Sequence, residues 1–152
     1  MSRPIPVPTA ETRRFWQAGL SGDLVLPRCT RCSRYFFPPP PRCHVCLTPH
    51  LEWETLSGRG RLRSWTDVYL DAISGIAAPF TIAEVELSEQ PGLVLVALVR
   101  PSAATDLSVD QAVQVVFGEE TDGCRFPEVI PVGTDSAARP VAANDAAAAG
   151  GV

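Results

Sequence analysis

CTRCSRYFFPPPPRCHVC, residues 29–46, carries four of the chain's five cysteines as two C-x-x-C pairs with ten residues between them. A pair of this spacing turns two thiolates toward one point. Two pairs therefore offer the four sulfurs of a tetrahedral cage, with Zn–S bonds of about 2.3 Å. A thioredoxin-like redox pair needs a βαβ setting, which the flanks lack. A nucleophilic cysteine needs a histidine partner, and only His44 and His50 are present. Cys29, Cys32, Cys43 and Cys46 are accordingly read as the ligands of one metal ion, zinc being favoured over iron by abundance because S₄ sites accept both. Four thiolates leave no coordination position for water or substrate, so the expected role of the metal is structural. His44 reads as a solvent-facing residue of the second turn, and Cys124 as a buried or incidental thiol.

The sequence on either side of this motif is β-like and short. "LVLPR" precedes the first pair, "RYFF" follows it and "LEWETL" follows the second pair; none is long enough to form a stable sheet unaided. Upstream, "PTAETRRFWQAGLSG" predicts one short helix with Thr9 as N-cap and Gly19 as stop signal, displaying Phe15 and Trp16. A helix this short is marginal alone and must dock, on its own core or on a partner. Downstream, Gly58 and Gly60 punctuate the chain. In "RLRSWTDVYL" alternation places Arg61, Arg63, Trp65, Asp67 and Tyr69 on one face and Leu62, Ser64, Thr66, Val68 and Leu70 on the other. "FTIAEVELS" changes frame between Ile82 and Val85, which predicts a bulge near Ala83 and Glu84. After the turn "EQPG", Leu93 to Val99 is apolar at every position and predicts a strand covered on both faces. "AVQVVFG" adds a further strand. About five strands without a helix among them predict a small closed β-barrel. The expected organisation is an N-terminal arm with its helix (1–22), a metal ribbon (23–56), a barrel (57–131) and a disordered alanine-rich tail (132–152).

Composition narrows the function. The 152 residues are 45% hydrophobic and 20% charged, the balance of a globular protein. The proline-rich start contains neither a signal peptide nor a membrane span, which makes the cytoplasm the default expectation and disfavours structural disulfides. There is no lysine; all 13 basic residues are arginine, which excludes Schiff-base and P-loop lysine chemistry. Residues 27–64 hold seven arginines against Glu52 and Glu54, a local charge of +5 in a chain of net charge −4. That cluster suggests an anionic ligand or an acidic partner surface.

The order "FWQAGLSGDLVLPRCTRC", "PPPPRCHVC", "LEWETLSGRGRLRSWT" and "APFTIAEVEL" resembles the acyl-CoA-associated family that joins a rubredoxin-like zinc ribbon to an OB-fold domain. The resemblance runs from about Thr9 to Pro131, and its most specific parts are Phe15-Trp16, the double C-x-x-C, Trp53 and Ser57–Thr66. It departs from the family in its proline-heavy inter-pair loop, in Asp110 at a position where such proteins usually carry glycine, and in the alanine-rich tail. The fold it implies is mainly β: a short helix, a Cys₄ zinc ribbon and an OB-fold-like barrel. The function it implies is that of a non-catalytic accessory subunit in lipid or steroid metabolism. Such a subunit binds a thiolase-like or hydratase-like enzyme in a hetero-oligomer, with acyl-CoA or coenzyme A as a further candidate ligand.

Within that reading, Arg59, Arg61 and Arg63 are candidates for the coenzyme's phosphates, Trp65 for stacking, and Phe15 and Trp16 for partner binding. Two other classes compete. A nucleic-acid-binding ribbon plus OB-fold is disfavoured by a sequence pI near 5.1, the wrong sign for a phosphate-backbone binder. A free-standing enzyme is disfavoured because periodicity brings no carboxylates into a defensible pair and no histidine lies in the barrel half. No membrane association is expected.

Overall fold

The computed structural model describes residues 3–71, 73–101 and 106–132, so the expectation for the alanine-rich tail falls almost wholly outside the described residues. The chain is mainly β: α1 (Arg13–Leu20) is followed by β1 (Leu24–Cys29), β2 (Leu51–Leu56), β3 (Arg59–Val68), β4 (Phe80–Leu87), β5 (Val94–Val99), β6 (Ala112–Phe117) and β7 (Pro127–Pro131). β1 and β2 form a two-stranded antiparallel hairpin that frames the cysteine loop, with Cys29 opposite Leu51. The other five strands close into a barrel in the order β3-β4-β5-β7-β6. Pairing of Gly60 with Val113 shuts it, and the single parallel contact is between β5 and β7.

The helix begins one turn later than Thr9 predicts. Thr9 and Thr12 form a reciprocal pair in which each backbone N–H donates to the other's hydroxyl, at 3.0 and 3.3 Å, and Arg13 N–H reaches the Thr9 carbonyl. Thr9 thus caps a preliminary turn rather than α1 itself. Gly19 is not the stop signal. The helix ends in a Schellman arrangement at Gly22 (φ +86°), where Gly22 N–H donates to Gly19 O and Asp23 N–H to Ala18 O. Gly19 is buried, and a Cβ there would stand 2.5 Å from Cε1 of Phe117. Its lack of a side chain is what lets α1 sit on β6.

The predicted bulge lies at the predicted level of the ladder but on the opposite strand. β4 alternates regularly, with Thr81, Ala83, Val85 and Leu87 facing in. The register slips in β3, where Leu62 pairs with Val85 and Ser64 with Glu84. Arg63 is the extra residue, and the slip moves every later β3 side chain to the other face. Beyond it Trp65 pairs with Ala83 and Asp67 with Thr81, both inward positions. The expected Arg61–Arg63–Trp65 face is therefore split in two.

Three other expectations are adjusted. "RYFF" is not a strand; it contributes only the isolated bridge Arg28↔Tyr35. β5 is covered on one face by core, through Leu95, Ala97 and Val99, whereas Val96 on the other face is 56% exposed. β7, bounded by Pro127 and Pro131, carries no alternation strong enough to announce it. One apolar cluster joins the parts: Phe15, Leu24, Leu26 and Leu56 belong to the same core as Leu62, Val85, Leu95, Val113 and Val129. No helix among the described residues is long and apolar enough to cross a membrane.

Candidate metal centre and its surroundings

The four thiols of Cys29, Cys32, Cys43 and Cys46 lie within 4.8 Å of one another, and among the described residues they are the one group of three or more potential ligands. Cys29 Sγ is 3.5 Å from Cys46 Sγ, and Cys32 Sγ is 3.5 Å from Cys43 Sγ. A regular tetrahedron with Zn–S bonds of about 2.3 Å has S···S edges of about 3.8 Å, close to the two spacings here, so the four sulfurs suit such an ion.

The cage arises from two near-identical turns. Cys29 N–H bonds to Arg34 O, and Cys43 N–H to Thr48 O; Ser33 N–H returns to Cys29 O, and Leu47 N–H to Cys43 O. In each turn the residue after the second cysteine is left-handed, Ser33 at φ 60° and Leu47 at φ 58°. The first sulfur of each turn accepts two N–H groups: Arg31 and Cys32 point at Cys29 Sγ, Val45 and Cys46 at Cys43 Sγ, at 3.3–3.5 Å. Burial opposes ionisation of Cys43, but its N–H donors and the neighbouring Cys46 and Cys32 thiols outweigh that and bring it down to about 6. Cys29 is lowered by the same balance of forces. At Cys46 the Thr48 N–H favours the thiolate, yet burial and the Cys29 and Cys43 thiols prevail and push it up to about 11. The first sulfur of each turn is thus the more readily ionised of its pair, and a divalent cation between the four would favour the thiolate at all of them.

The remaining candidates separate. His44 is exposed and rests against Phe36, with ring centroids 5.5 Å apart, and is no part of the cage. Cys124 is buried elsewhere, and burial raises its thiol. Of the arginine edge, Arg61 reaches Glu86 at 2.9 Å and Asp110 at 3.7 Å, and Arg63 reaches Glu84 at 3.4 Å and Glu86 at 3.8 Å. Folding therefore offsets two of the seven arginines with acids that a count along residues 27–64 does not include, Glu84 and Glu86 of β4 and Asp110 before β6. Arg28 is likewise held by Glu54 at 3.0 Å. Among the described residues Arg59 has no carboxylate within 4.0 Å, and it lines a shallow recess with Ser57, Ser88 and Glu89.

Phe15 is 2% exposed and packs on Phe37 and Phe117, so its side chain anchors α1 to its own chain and is not available to a partner. Trp16 is half-buried, edge-on to Phe126 at 5.9 Å. A clamp absent from the sequence reading ties ribbon to barrel. Tyr35 N–H donates to Gln90 Oε1 at 2.9 Å, Gln90 Nε2 donates to Tyr35 O at 3.2 Å, and the Tyr35 hydroxyl donates to Glu54 at 2.5 Å.

Two family models match the chain, one described as the ChsH2 rubredoxin-like zinc ribbon domain (residues 16–52) and one as the ChsH2 C-terminal OB-fold domain (residues 53–118). Together they run unbroken over about two thirds of the sequence. The chain belongs to the ChsH2 family. The join between the two ChsH2 models falls inside β2, at Trp53, whose ring packs on the shared core. Among solved structures, a chain described as "Ltp2-ChsH2(DUF35) aldolase" has the same fold, with a TM-score of 0.76 at 22% identity over 85% of this chain and all of that one. A DUF35-family protein of unknown function from Sulfolobus solfataricus aligns with a TM-score of 0.53 at 18% identity, over 70% of this chain and 77% of that one. A probable enoyl-CoA hydratase alpha subunit of Thermomonospora curvata is 29% identical over 94 residues, 60% of this chain; the match spans only 29% of the relative's own length. Rubredoxin-like zinc ribbons match a structural ion, and the sulfur geometry here suits one.

Proposed function

We propose that this chain is a non-catalytic accessory subunit of an acyl-CoA-metabolising complex and that its partner is a thiolase-fold enzyme of the aldolase type. The observation that carries the reading is the fold match over the whole of a chain whose own description places it with an aldolase. Membership of the ChsH2 family and the full cysteine cage support it. A hydratase partner is the second reading, favoured by the enoyl-CoA hydratase alpha subunit that matches part of the chain. Partner contact is assigned to the half-buried Trp16 and to the outer face of β5 at Val96, the latter a large apolar side chain left exposed on a sheet. For a coenzyme A phosphate, Arg59 is the arginine of the original trio free to donate, and Trp65, on the opposite side of the bulge, would not share that ligand.

Co-expression with a thiolase-fold aldolase and, separately, with an enoyl-CoA hydratase, followed by size-exclusion chromatography with light scattering, tests the proposal. The thiolase-fold enzyme is expected to form a complex of fixed stoichiometry, and Val96→Asp to release it without loss of metal. Complex formation with the hydratase alone replaces the partner; a lone monomer in every mixture overturns the reading.

A further inference from the structure

A second site lies at one end of the barrel, where the start of β4, the ends of β5 and β6 and the start of β7 come together. It is a groove of about 1100 Å³ that shares no residue with the Arg59 recess. Its apolar stretch is made by Ile76, Phe80 and Leu98, and one end is flanked by Phe126 and by the arginines Arg3, Arg100 and Arg125. Arg100 is matched by Glu128 at 2.8 Å. Arg3 and Arg125 have no carboxylate within 4.0 Å among the described residues, although Glu128 also attracts Arg3 from farther off and Glu119 lines the groove as well, leaving three arginines against two acids. Arg3 sits over the Phe126 ring, its guanidinium carbon 3.4 Å from the centroid, and burial lowers its pKa from the ordinary arginine value. Arg125 Nε is buried with no hydrogen-bond partner, although buried donors in folded proteins are almost always satisfied. Two cations partly withdrawn from water, one with an idle donor, beside an apolar trough, are the complement of a molecule with an anionic head and an apolar body.

We infer that this groove binds an amphiphilic organic anion, its carboxylate or phosphate held by Arg3 and Arg125 and its apolar body laid along Phe80 and Leu98. The groove adjoins the partner face proposed above, Leu98 lying two residues from Val96 on one face of β5, but binding to the free chain is measured without a partner, so either reading can fail without the other. Isothermal titration of the full chain with decanoate, decyl phosphate, decanol and inorganic phosphate tests it. Saturable binding is expected for one or both amphiphilic anions, and which of them binds more tightly identifies the head group. Decanol and inorganic phosphate, each lacking half of the recognition, should bind at least about tenfold more weakly. Arg3→Gln and Arg125→Gln should each weaken the anion by about ten- to a hundredfold, the loss of one charge-assisted donor, whereas Arg14→Gln on the exposed face of α1 should not. Metal content and thermal transition monitor each variant; should Arg125→Gln unfold, Arg3→Gln, on the N-terminal arm, carries the test alone. Equal binding of decanol and decanoate, no binding of either anion, or unchanged affinity in Arg3→Gln overturns the assignment.

Discussion

Leu47 occupies a conformation that suits it poorly. At φ 58° its Cβ crowds the following carbonyl, a penalty of roughly 1–2 kcal/mol that glycine avoids, and its side chain is 65% exposed, so it contributes little packing in return. Ser33, in the equivalent place of the first turn, is smaller and polar but shares the strain. Leu47→Gly is therefore expected to stabilise the second cysteine turn by up to about 1 kcal/mol and to slow loss of metal to a competing chelator, read as the rate of colour development with a zinc indicator. Faster release would show that the leucine has a contact worth more than its strain. The turns were legible because C-x-x-C chemistry is local: two ligands and the N–H groups that tune them sit within four residues. The arginine edge was not. Arg61 and Arg63 find their acids on β4, more than twenty residues away, and only pairing across strands reveals that Glu84 and Glu86 face them. Asp110, where the family resemblance leads one to expect glycine, adopts φ 63° and shows why: the turn into β6 requires the left-handed region, which aspartate tolerates better than most residues.

The contact between α1 and β6 was hidden for a similar reason. A glycine near a helix end reads as a terminator, yet Gly19 lies inside the helix against Phe117. Two effects oppose each other in Gly19→Ala. Alanine improves helix propensity by about 1 kcal/mol, while forcing a methyl into a ring 2.5 Å away costs about 1–3 kcal/mol of overpacking. Phe117 is hemmed in by Phe15, with ring centroids 6.0 Å apart, so the ring has little room to retreat and the penalty prevails. Gly19→Ala should lower the thermal transition, and adding Phe117→Leu should recover part of the loss, a coupling that a double-mutant cycle measures. Additive effects would mean that the two residues do not meet. The bulge in β3 illustrates the same limit. Frame-breaking in β4 signalled that the ladder slips near Glu84, but which strand carries the extra residue is decided by curvature of the closed barrel, not by either strand's own pattern.

Ribbon and barrel read as separate units along the sequence, each with its own element pattern, but they bury their apolar residues in common. Leu24, Leu26 and Leu56 from the hairpin share one cluster with the barrel interior, α1 closes over both through Phe15, and Gln90 clamps Tyr35 from the β4–β5 turn. A two-stranded hairpin cannot hold this arrangement by itself, and structural zinc contributes directly to folding where the hydrophobic core is small. Loss of metal should then cost the barrel as well as the ribbon, in one cooperative step. Two single-tryptophan forms separate the cases: Trp53 alone reports on the hairpin and Trp65 alone on the barrel, with the other tryptophans changed to phenylalanine. Elemental analysis should find one zinc or iron per chain. Chelation, or Cys29→Ser, should shift the thermal transitions of both forms downward together, while Cys124→Ser retains metal and leaves the ribbon intact. If the Trp65 transition stays where it was while Trp53 melts early, the shared core does not couple the two parts. The clamp at Gln90 would then be a contact between independently folding units rather than the seam of a single one.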